Sequence, residues 1–253
     1  HMAEHKTITA ALIIIGNEIL SGRTQDANLA FLGEQLNELG VRLREVRVIP
    51  DVEDTIIETV NTLRQAFDYV FTTGGIGPTH DDITSAAIAK AFGTELARHP
   101  EAEALLLGHY KPEDVTPARM KMADIPVGAT LLDNPVSKAP GFRLENVHVL
   151  PGVPRIMQAM FKLFSHELVG GEPVLAASIT SRVPEGTMAS KLGEIQDSYP
   201  DADIGSYPFI KDGRAGACFV VRHPNKQTVN AAAEEIVEAI RGFGAEPEAD
   251  ERP

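Results

Sequence analysis

The stretch Thr72-Thr73-Gly74-Gly75-Ile76-Gly77-Pro78-Thr79-His80-Asp81-Asp82-Ile83-Thr84 concentrates residue types suited to holding an anion. Glycines at the end of a strand let the chain turn with positive φ and bare main-chain N–H groups that no Cβ shields. A helix starting just beyond aims its free N–H groups and the positive end of its dipole into the same space. Phosphate is the natural guest, which makes Gly74, Gly75, Gly77, Thr79 and Thr84 candidate phosphate-binding residues. The loop is not of the Walker A type, because it lacks a Gly-Lys-[Ser/Thr] ending. It is not a dinucleotide fingerprint either, because His80 stands where a motif starting at Gly75 needs its last glycine.

Asp81 and Asp82 would repel that phosphate unless a cation sat between them. A hard ion, Mg²⁺ or another divalent cation, held by one or two carboxylates and by phosphate oxygens, resolves the conflict, so Asp81 and Asp82 are the candidate metal ligands. A second role stays open, since Thr79 and Asp82 fit the [Ser/Thr]-x-x-[Asp/Glu] capping box. Two more polar clusters follow strand-like runs: Gly16-Asn17-Glu18-Ile19-Leu20-Ser21-Gly22 with Asp26-Ala27-Asn28, and Pro50-Asp51. Here Asp26 and Asp51 are also good helix caps, and Glu18 also suits a solvated loop. The loop Asn134-Pro135-Val136-Ser137-Lys138-Ala139-Pro140-Gly141 offers one cation, Lys138, to a phosphate, and Leu150-Pro151-Gly152-Val153-Pro154-Arg155 offers a close backbone approach at Gly152. Zinc-binding His-Glu-x-x-His or Cys pairs and a Gly-x-Ser-x-Gly elbow are absent.

The elements that must position these loops are readable from periodicity. Ile8 to Ile15 is almost continuously apolar, as a parallel strand buried on both faces should be. A helix over Asn28 to Leu39, a strand over Val41 to Ile49, a helix over Val52 to Ala66, a strand over Asp68 to Thr73 and a helix over Asp81 to Phe92 then alternate, the signature of βαβ units. Residues His99 to Met122 read as short helices broken at Pro112 and Pro117. Strands near Ala129 to Leu132, Gly141 to Leu144 and Val147 to Leu150 precede a helix over Val153 to Leu168. Because ligands sit outside the carboxyl ends of strands in an open parallel sheet, the polar clusters are expected to converge. After a Gly-Pro linker comes a β-α-β-β-α unit. The expected organisation is an α/β domain over 6–170, a small α+β domain over 174–245 and a disordered acidic tail over 246–253.

Composition narrows the partners. The chain has 253 residues, 23 Lys and Arg against 36 Asp and Glu, and a net charge of −13. Residues 172–245 carry seven basic and ten acidic side chains, and there is no Trp. Neither a basic face nor stacking platforms for bases are implied, so nucleic acid is not an expected partner. No apolar run approaches the roughly 20 residues of a membrane span. One cysteine, Cys218, set in an apolar run, fits a reducing cytoplasm.

At the loops quoted above the sequence resembles the molybdopterin-binding domain superfamily, and more closely the amino-terminal part of the competence/damage-inducible protein A (CinA) family. Residues 6 to 168 carry the likeness through Gly16 to Gly22, Asp26, Asn28, Pro50-Asp51, Gly74 to Thr84, Asn134, Ala139, Gly141 and Leu150 to Pro154. The following unit looks like the small KH-like domain of CinA proteins. The resemblance implies a three-layer α/β/α, mostly parallel sheet that binds a nucleotide or pterin, with Asp82 at a metal-assisted phosphate site, Asp51 nearby and Asn134 beside the ligand. It implies metal-dependent pyrophosphatase activity on ADP-ribose or FAD, with Asp82, Asp51 and Glu18 as catalytic candidates and the water-activating group open among Asp51, Asp81 and Glu18. The alternatives are a molybdopterin-binding protein of cofactor biosynthesis and a non-catalytic nucleotide-binding module. Relatives commonly form dimers or trimers, so a homo-oligomer is expected. The chain departs from many relatives at Ser137-Lys138 and Arg155-Ile156. It ends without the amidohydrolase domain of longer members, so nicotinamide mononucleotide deamidation is not expected.

Overall fold

A computed structural model describes residues 7–248. The chain divides at Gly171 and Glu172 into two compact units. In the first, β1 (Ile8–Ile15), a one-turn helix α1 (Asn17–Leu20), α2 (Asn28–Glu38), β2 (Val41–Ile49), α3 (Glu53–Ala66), β3 (Tyr69–Thr73) and α4 (Thr84–Ala91) follow one another. The chain then leaves the sheet through β4 (Leu96–Arg98), α5 (Pro100–His109) and α6 (Pro117–Met120) and returns through β5 (Asp124–Pro126). β6 (Thr130–Leu132), β7 (Gly141–Leu144), β8 (Val147–Leu150) and α7 (Pro154–Phe164) complete the unit.

Six strands form one sheet in the order β2-β1-β3-β8-β7-β6. The first three pairings are parallel and the last two antiparallel, so the sheet is mixed and mostly parallel, with helices on both faces. β1 shows why. Ala10, Leu12 and Ile14 point into one core with Leu32 and Leu36 of α2 and Met157, Met160 and Phe161 of α7. Ala11, Ile13 and Ile15 point into the other, with Ile56, Val60 and Leu63 of α3 and Ala87 and Ile88 of α4. Each fully buried Leu or Ile contributes roughly 2 kcal/mol of transfer free energy, which fixes β1 at the centre. From β1 the chain crosses to β2 on one side, then back over β1 to β3 on the other. The loops after β1 and β3 therefore diverge and leave a crevice between them.

One local feature differs from the pattern reading and two more lie outside it. The helix expected from Asp81 begins at Thr84, with Ile83 as its N-cap and no side-chain cap. The capping-box pair Thr79 and Asp82 thus lies outside it, and Asp82 folds back on its own loop instead. β4 and β5, three residues each, are too short to carry a period, yet they pair antiparallel and close the neck of the helical insert. His148 on β8 is buried and stacked on Phe164 at 5.1 Å, and burial holds its imidazole pKa down at about 4, so it packs as a neutral ring.

The second unit runs β9 (Leu175–Ser181), α8 (Glu185–Ser198), β10 (Asp203–Lys211), β11 (Arg214–His223) and α9 (Lys226–Gly242). Its antiparallel sheet, ordered β10-β11-β9, buries Phe219 and Val221 against Met188 and Ile195 of α8 and Ile236 and Ile240 of α9. Cys218 is a buried free thiol. Residues 246 to 248, read from composition as the start of a disordered tail, are tied down. The Glu248 N–H donates to the Thr180 carbonyl at 2.8 Å and its carboxylate pairs with Arg182 at 3.3 Å. The rest of the tail lies outside the described residues. Among those residues no helix is long and apolar enough to cross a membrane.

Candidate functional site

The loops after β2, β1, β3 and β8 lie side by side at one edge of the sheet, a row about 14 Å long at the usual strand spacing. In its middle is the Gly74 to Ile83 loop. Gly74 and Gly75 both take positive φ, +100° and +75°, and a Cβ on Gly74 would overlap the Ile15 carbonyl oxygen while one on Gly75 would overlap the Thr84 hydroxyl. Gly77 in turn makes room for the Asp82 carboxylate. These glycines are therefore required by the loop's own closure, before any ligand is considered.

Thr84 is the fastener. It is fully buried, its hydroxyl donates to the Gly74 carbonyl and its N–H to the Gly75 carbonyl, both at 3.0 Å. Its polar atoms are thereby engaged within the fold rather than offered to a phosphate. Thr79 is similarly occupied: its N–H donates to Asp82 Oδ2 at 2.9 Å, and its hydroxyl lies between Asp82 Oδ2, at 2.7 Å, and Asp81 Oδ1. The donors that remain include the N–H groups of Gly75, Ile76 and Gly77, three in succession without a hydrogen bond among the described residues. Such a run is an anion-binding arrangement.

Asp51 occupies a different position from a helix cap, because the N-cap of α3 is Val52 and carries no side-chain bond. Its Oδ2 accepts from the Asn17 N–H at 3.1 Å, and Asn17 Oδ1 accepts from the Asp51 N–H at 3.3 Å, so the loops after β1 and β2 hold each other. Burial pushes the Asp51 carboxyl up from the ordinary carboxylate range; the Asn17 N–H opposes this, and the negative charges of Glu18, Asp81 and Asp82 add to it. Glu18, Asp81 and Asp82 thus stand near enough for their charges to act on the Asp51 carboxyl, which groups four acids from three loops at this edge of the sheet. Asp81 is displaced downward, first by the Thr79 hydroxyl and then by its own N–H. The N-cap of α2 is Ala27, which makes no side-chain bond, and Asp26 just before it accepts from the Leu29 N–H at 2.9 Å.

The β8 loop meets the glycine loop directly, since a Cβ built on Gly152 would lie 3.3 Å from the Gly74 Cα. Asn28 holds it there by donating to the Gly152 carbonyl at 3.0 Å. The loop between β6 and β7 sits further along the edge, one to two strands and about 5 to 10 Å beyond β8. Asn134 is buried there with all its hydrogen-bonding positions used inside the loop. Its Oδ1 accepts from the N–H groups of Val136 and Ser137, and its Nδ2 donates to Ser137 Oγ and the Ala139 carbonyl. Asn134 thus shapes the loop, and Lys138 stands exposed at its tip with φ of 66°.

No cluster of three His, Cys, Asp or Glu side chains is arranged to hold a metal among the described residues. The donor set nonetheless fits a hard divalent ion bound by one or two carboxylates and completed by a ligand's phosphate oxygens, because Asp82 Oδ1 has no hydrogen-bond partner among the described residues and Asp81 stands exposed beside it. Three residues of this region escaped the sequence reading as individuals: Asn17, Asn28 and Lys121. Lys121 lies in the helical insert, and its Nζ donates to the carbonyls of Thr79 and Asp82, both at 3.0 Å. Asn17 and Asn28 at least sit in polar clusters after β1, whereas nothing local marks Lys121.

The probable molybdopterin binding domain family matches residues 11–171, and the family described as FAD synthase, middle domain, matches residues 173–247. A protein of Archaeoglobus fulgidus is 34% identical over 229 residues, covering 90% of this chain and 96% of that one. A probable FAD synthase of Caenorhabditis elegans is 30% identical over 92% of this chain, which spans half of that protein, and a CinA-like protein of Salinibacter ruber is 33% identical over 76% of the chain and half of its own length. The solved structure of the protein CinA from Thermoplasma acidophilum matches with a TM-score of 0.60 and 37% identity over 64% of this chain and 99% of that one. The chain thus belongs to the molybdopterin-binding domain family, in its CinA-like form, where the α/β unit that builds this site is followed by a domain of the FAD synthase middle type.

Proposed function

We infer that the chain hydrolyses the diphosphate of a dinucleotide such as FAD or ADP-ribose with the help of a divalent cation, Mg²⁺ or a similar ion. The observation that carries this reading is the juxtaposition of three unused N–H donors, Gly75 to Gly77, with four acids, Glu18, Asp51, Asp81 and Asp82. Donors alone would suit any anion; acids alone would repel it. Together they call for an anion and a cation bound at once, which is what a metal-assisted diphosphate site requires. The row of strand ends is elongated, as a two-nucleotide ligand would need. The kinship with a probable FAD synthase favours a flavin dinucleotide among the substrates.

On this reading the ion, when bound at Asp82 and Asp81, supplies positive charge against the phosphate oxygens. The Gly75 to Gly77 N–H groups orient the diphosphate. Asp51, raised by burial and neighbouring charge, takes the proton of the attacking water, with Glu18 beside it. A new P–O bond forms from water, the bridging P–O bond breaks, and AMP leaves together with FMN or ribose 5-phosphate. The family description favours a second reading, binding of a molybdopterin without turnover.

Release of AMP from FAD and ADP-ribose, with Mg²⁺, Mn²⁺ or Co²⁺ and without added metal, separates the two. The Asp82→Asn variant keeps an acceptor for the Thr79 N–H and hydroxyl, so its loop geometry should survive while turnover falls on the order of 100-fold or more. No AMP from the unmodified protein under any of these conditions would sink the pyrophosphatase reading, and tight pterin binding in its place would establish the second.

A further inference from the structure

The glycine loop closes on itself between Thr79 and Asp82. The Thr79 N–H donates to the Asp82 carboxylate at 2.9 Å, and the Asp82 N–H returns a bond to the Thr79 carbonyl at 3.2 Å. Such a ring, exposed from Thr79 to Asp81 and half-buried at Asp82, carries two adjacent acids that repel each other. Lys121 is the one cation that reaches it through a hydrogen bond among the described residues, and it does so at both ends of the ring, on the Thr79 and Asp82 carbonyls. Its charge also contributes to holding the Asp81 carboxyl low.

We propose that Lys121 is a positioning residue, supplied by the helical insert, that fixes the Thr79 to Asp82 ring and so sets where the Asp82 carboxylate and the Gly75 to Gly77 donors stand. The space enclosed by Gly77, Asp82, Lys121, Met122 and Asp124 is only about 30 Å³, room for one water and too small for a phosphate. Lys121 therefore faces the back of the loop and acts on a ligand through it. The chain on both sides of it is anchored. Met120 and Ala123 on either side are buried in the core, the His99 N–H donates to the Ala123 carbonyl at 2.8 Å, and Arg98 bridges β4 to Asp124 at 2.7 Å and to Glu103 at 3.1 Å. The insert thus acts as a bracket, closed at the neck by β4 and β5, with Lys121 as its contact on the site.

Two measurements on the full chain test this. The first is independent of any activity: amide hydrogen exchange of Thr79 and Asp82 in Lys121→Met and Lys121→Arg, with the thermal midpoint recorded alongside. Exchange at these two amides should quicken about tenfold or more in Lys121→Met, while the Thr84 amide, held by the Gly75 carbonyl, stays within about twofold. Lys121→Arg should recover most of the protection, because a guanidinium can also donate to two carbonyls. Unchanged exchange in Lys121→Met overturns the proposal outright, and equal loss of protection at Thr84 would show general loosening instead, which overturns it as well. The second measurement rests on the pyrophosphatase reading. In Lys121→Met the turnover number for FAD should fall roughly 100-fold with KM changed far less, because a misplaced loop loses near-attack geometry. If the unmodified protein releases no AMP but the exchange responds as stated, the substrate reading fails and the positioning role stands.

Discussion

Two loops at the same edge of the sheet look alike in sequence and differ in what they leave free. The Gly74 to Ile83 loop and the Asp133 to Pro140 loop are both polar, both entered from a strand and both interrupted by proline. In the second, Asn134 satisfies itself four times over within six residues, so the loop is a finished object. In the first, closure by Thr84 and by the Thr79 to Asp82 ring still leaves three successive N–H groups and an unpaired Asp82 oxygen. Residue type does not separate a binding loop from a structural one here; an account of which donors and acceptors are already engaged does.

The largest expected effect comes from the glycine loop's backbone. In Gly74→Ala the new Cβ meets the Ile15 carbonyl oxygen at a φ of +100°, and backbone on both sides of the clash is held in the central strands. Relief requires β1 and β3 to move apart, so the substitution should cost about 4 kcal/mol, measured as the change in unfolding free energy in urea. A cost below about 1 kcal/mol would mean that the loop accommodates a side chain and is less fixed than the contrast demands. Asn134→Ala is the matching blow to the other loop. It strands the N–H groups of Val136 and Ser137 and the Ala139 carbonyl, all partly buried, for an expected loss of about 2 kcal/mol by the same measurement. Affinity for inorganic pyrophosphate in calorimetry should stay within about twofold, and a larger drop would join the two loops into one ligand site.

These contrasts also mark how far a sequence can be read. β1 is legible because six consecutive apolar residues, Ala10 to Ile15, need two buried faces, and the glycine loop is legible because its turn chemistry is local. What escaped is contact between distant residues. Asn17 meets Asp51 across 34 positions, Lys121 meets Asp82 across 39, and Asn28 meets Gly152 across 124. Nothing in the neighbourhood of Lys121 distinguishes it from any other helical lysine. Asp51 was equally compatible with a cap, since an acid before a helix looks the same whether its carboxylate turns to its own helix or to a neighbouring loop. The start of α4 was displaced for a related reason. Thr79 and Asp82 do satisfy the spacing of a capping box, and they do bond to each other, but the helix begins only at Thr84, beyond both of them. Local rules gave the right partners there and the wrong element.

The smallest effect bears on Lys138, where charge and backbone can be separated. Its φ of 66° is a left-handed conformation that costs a residue with a Cβ about 1 kcal/mol, and its side chain is exposed with no hydrogen bond or ion pair among the described residues. Lys138→Gly relieves that conformation but adds freedom to the unfolded chain, so a net gain of about 0.5 kcal/mol is expected in urea unfolding. Lys138→Gln removes the charge and leaves the backbone cost in place, so its stability should not move measurably. If the loop is finished as the hydrogen bonds imply, both variants bind pyrophosphate within about twofold of the unmodified protein. A loss of about tenfold in both would place the Lys138 ammonium on the phosphate and extend the site past β8 to the sheet's far edge, whereas a loss in Lys138→Gly alone would show that the loop's shape, rather than its charge, reaches the ligand.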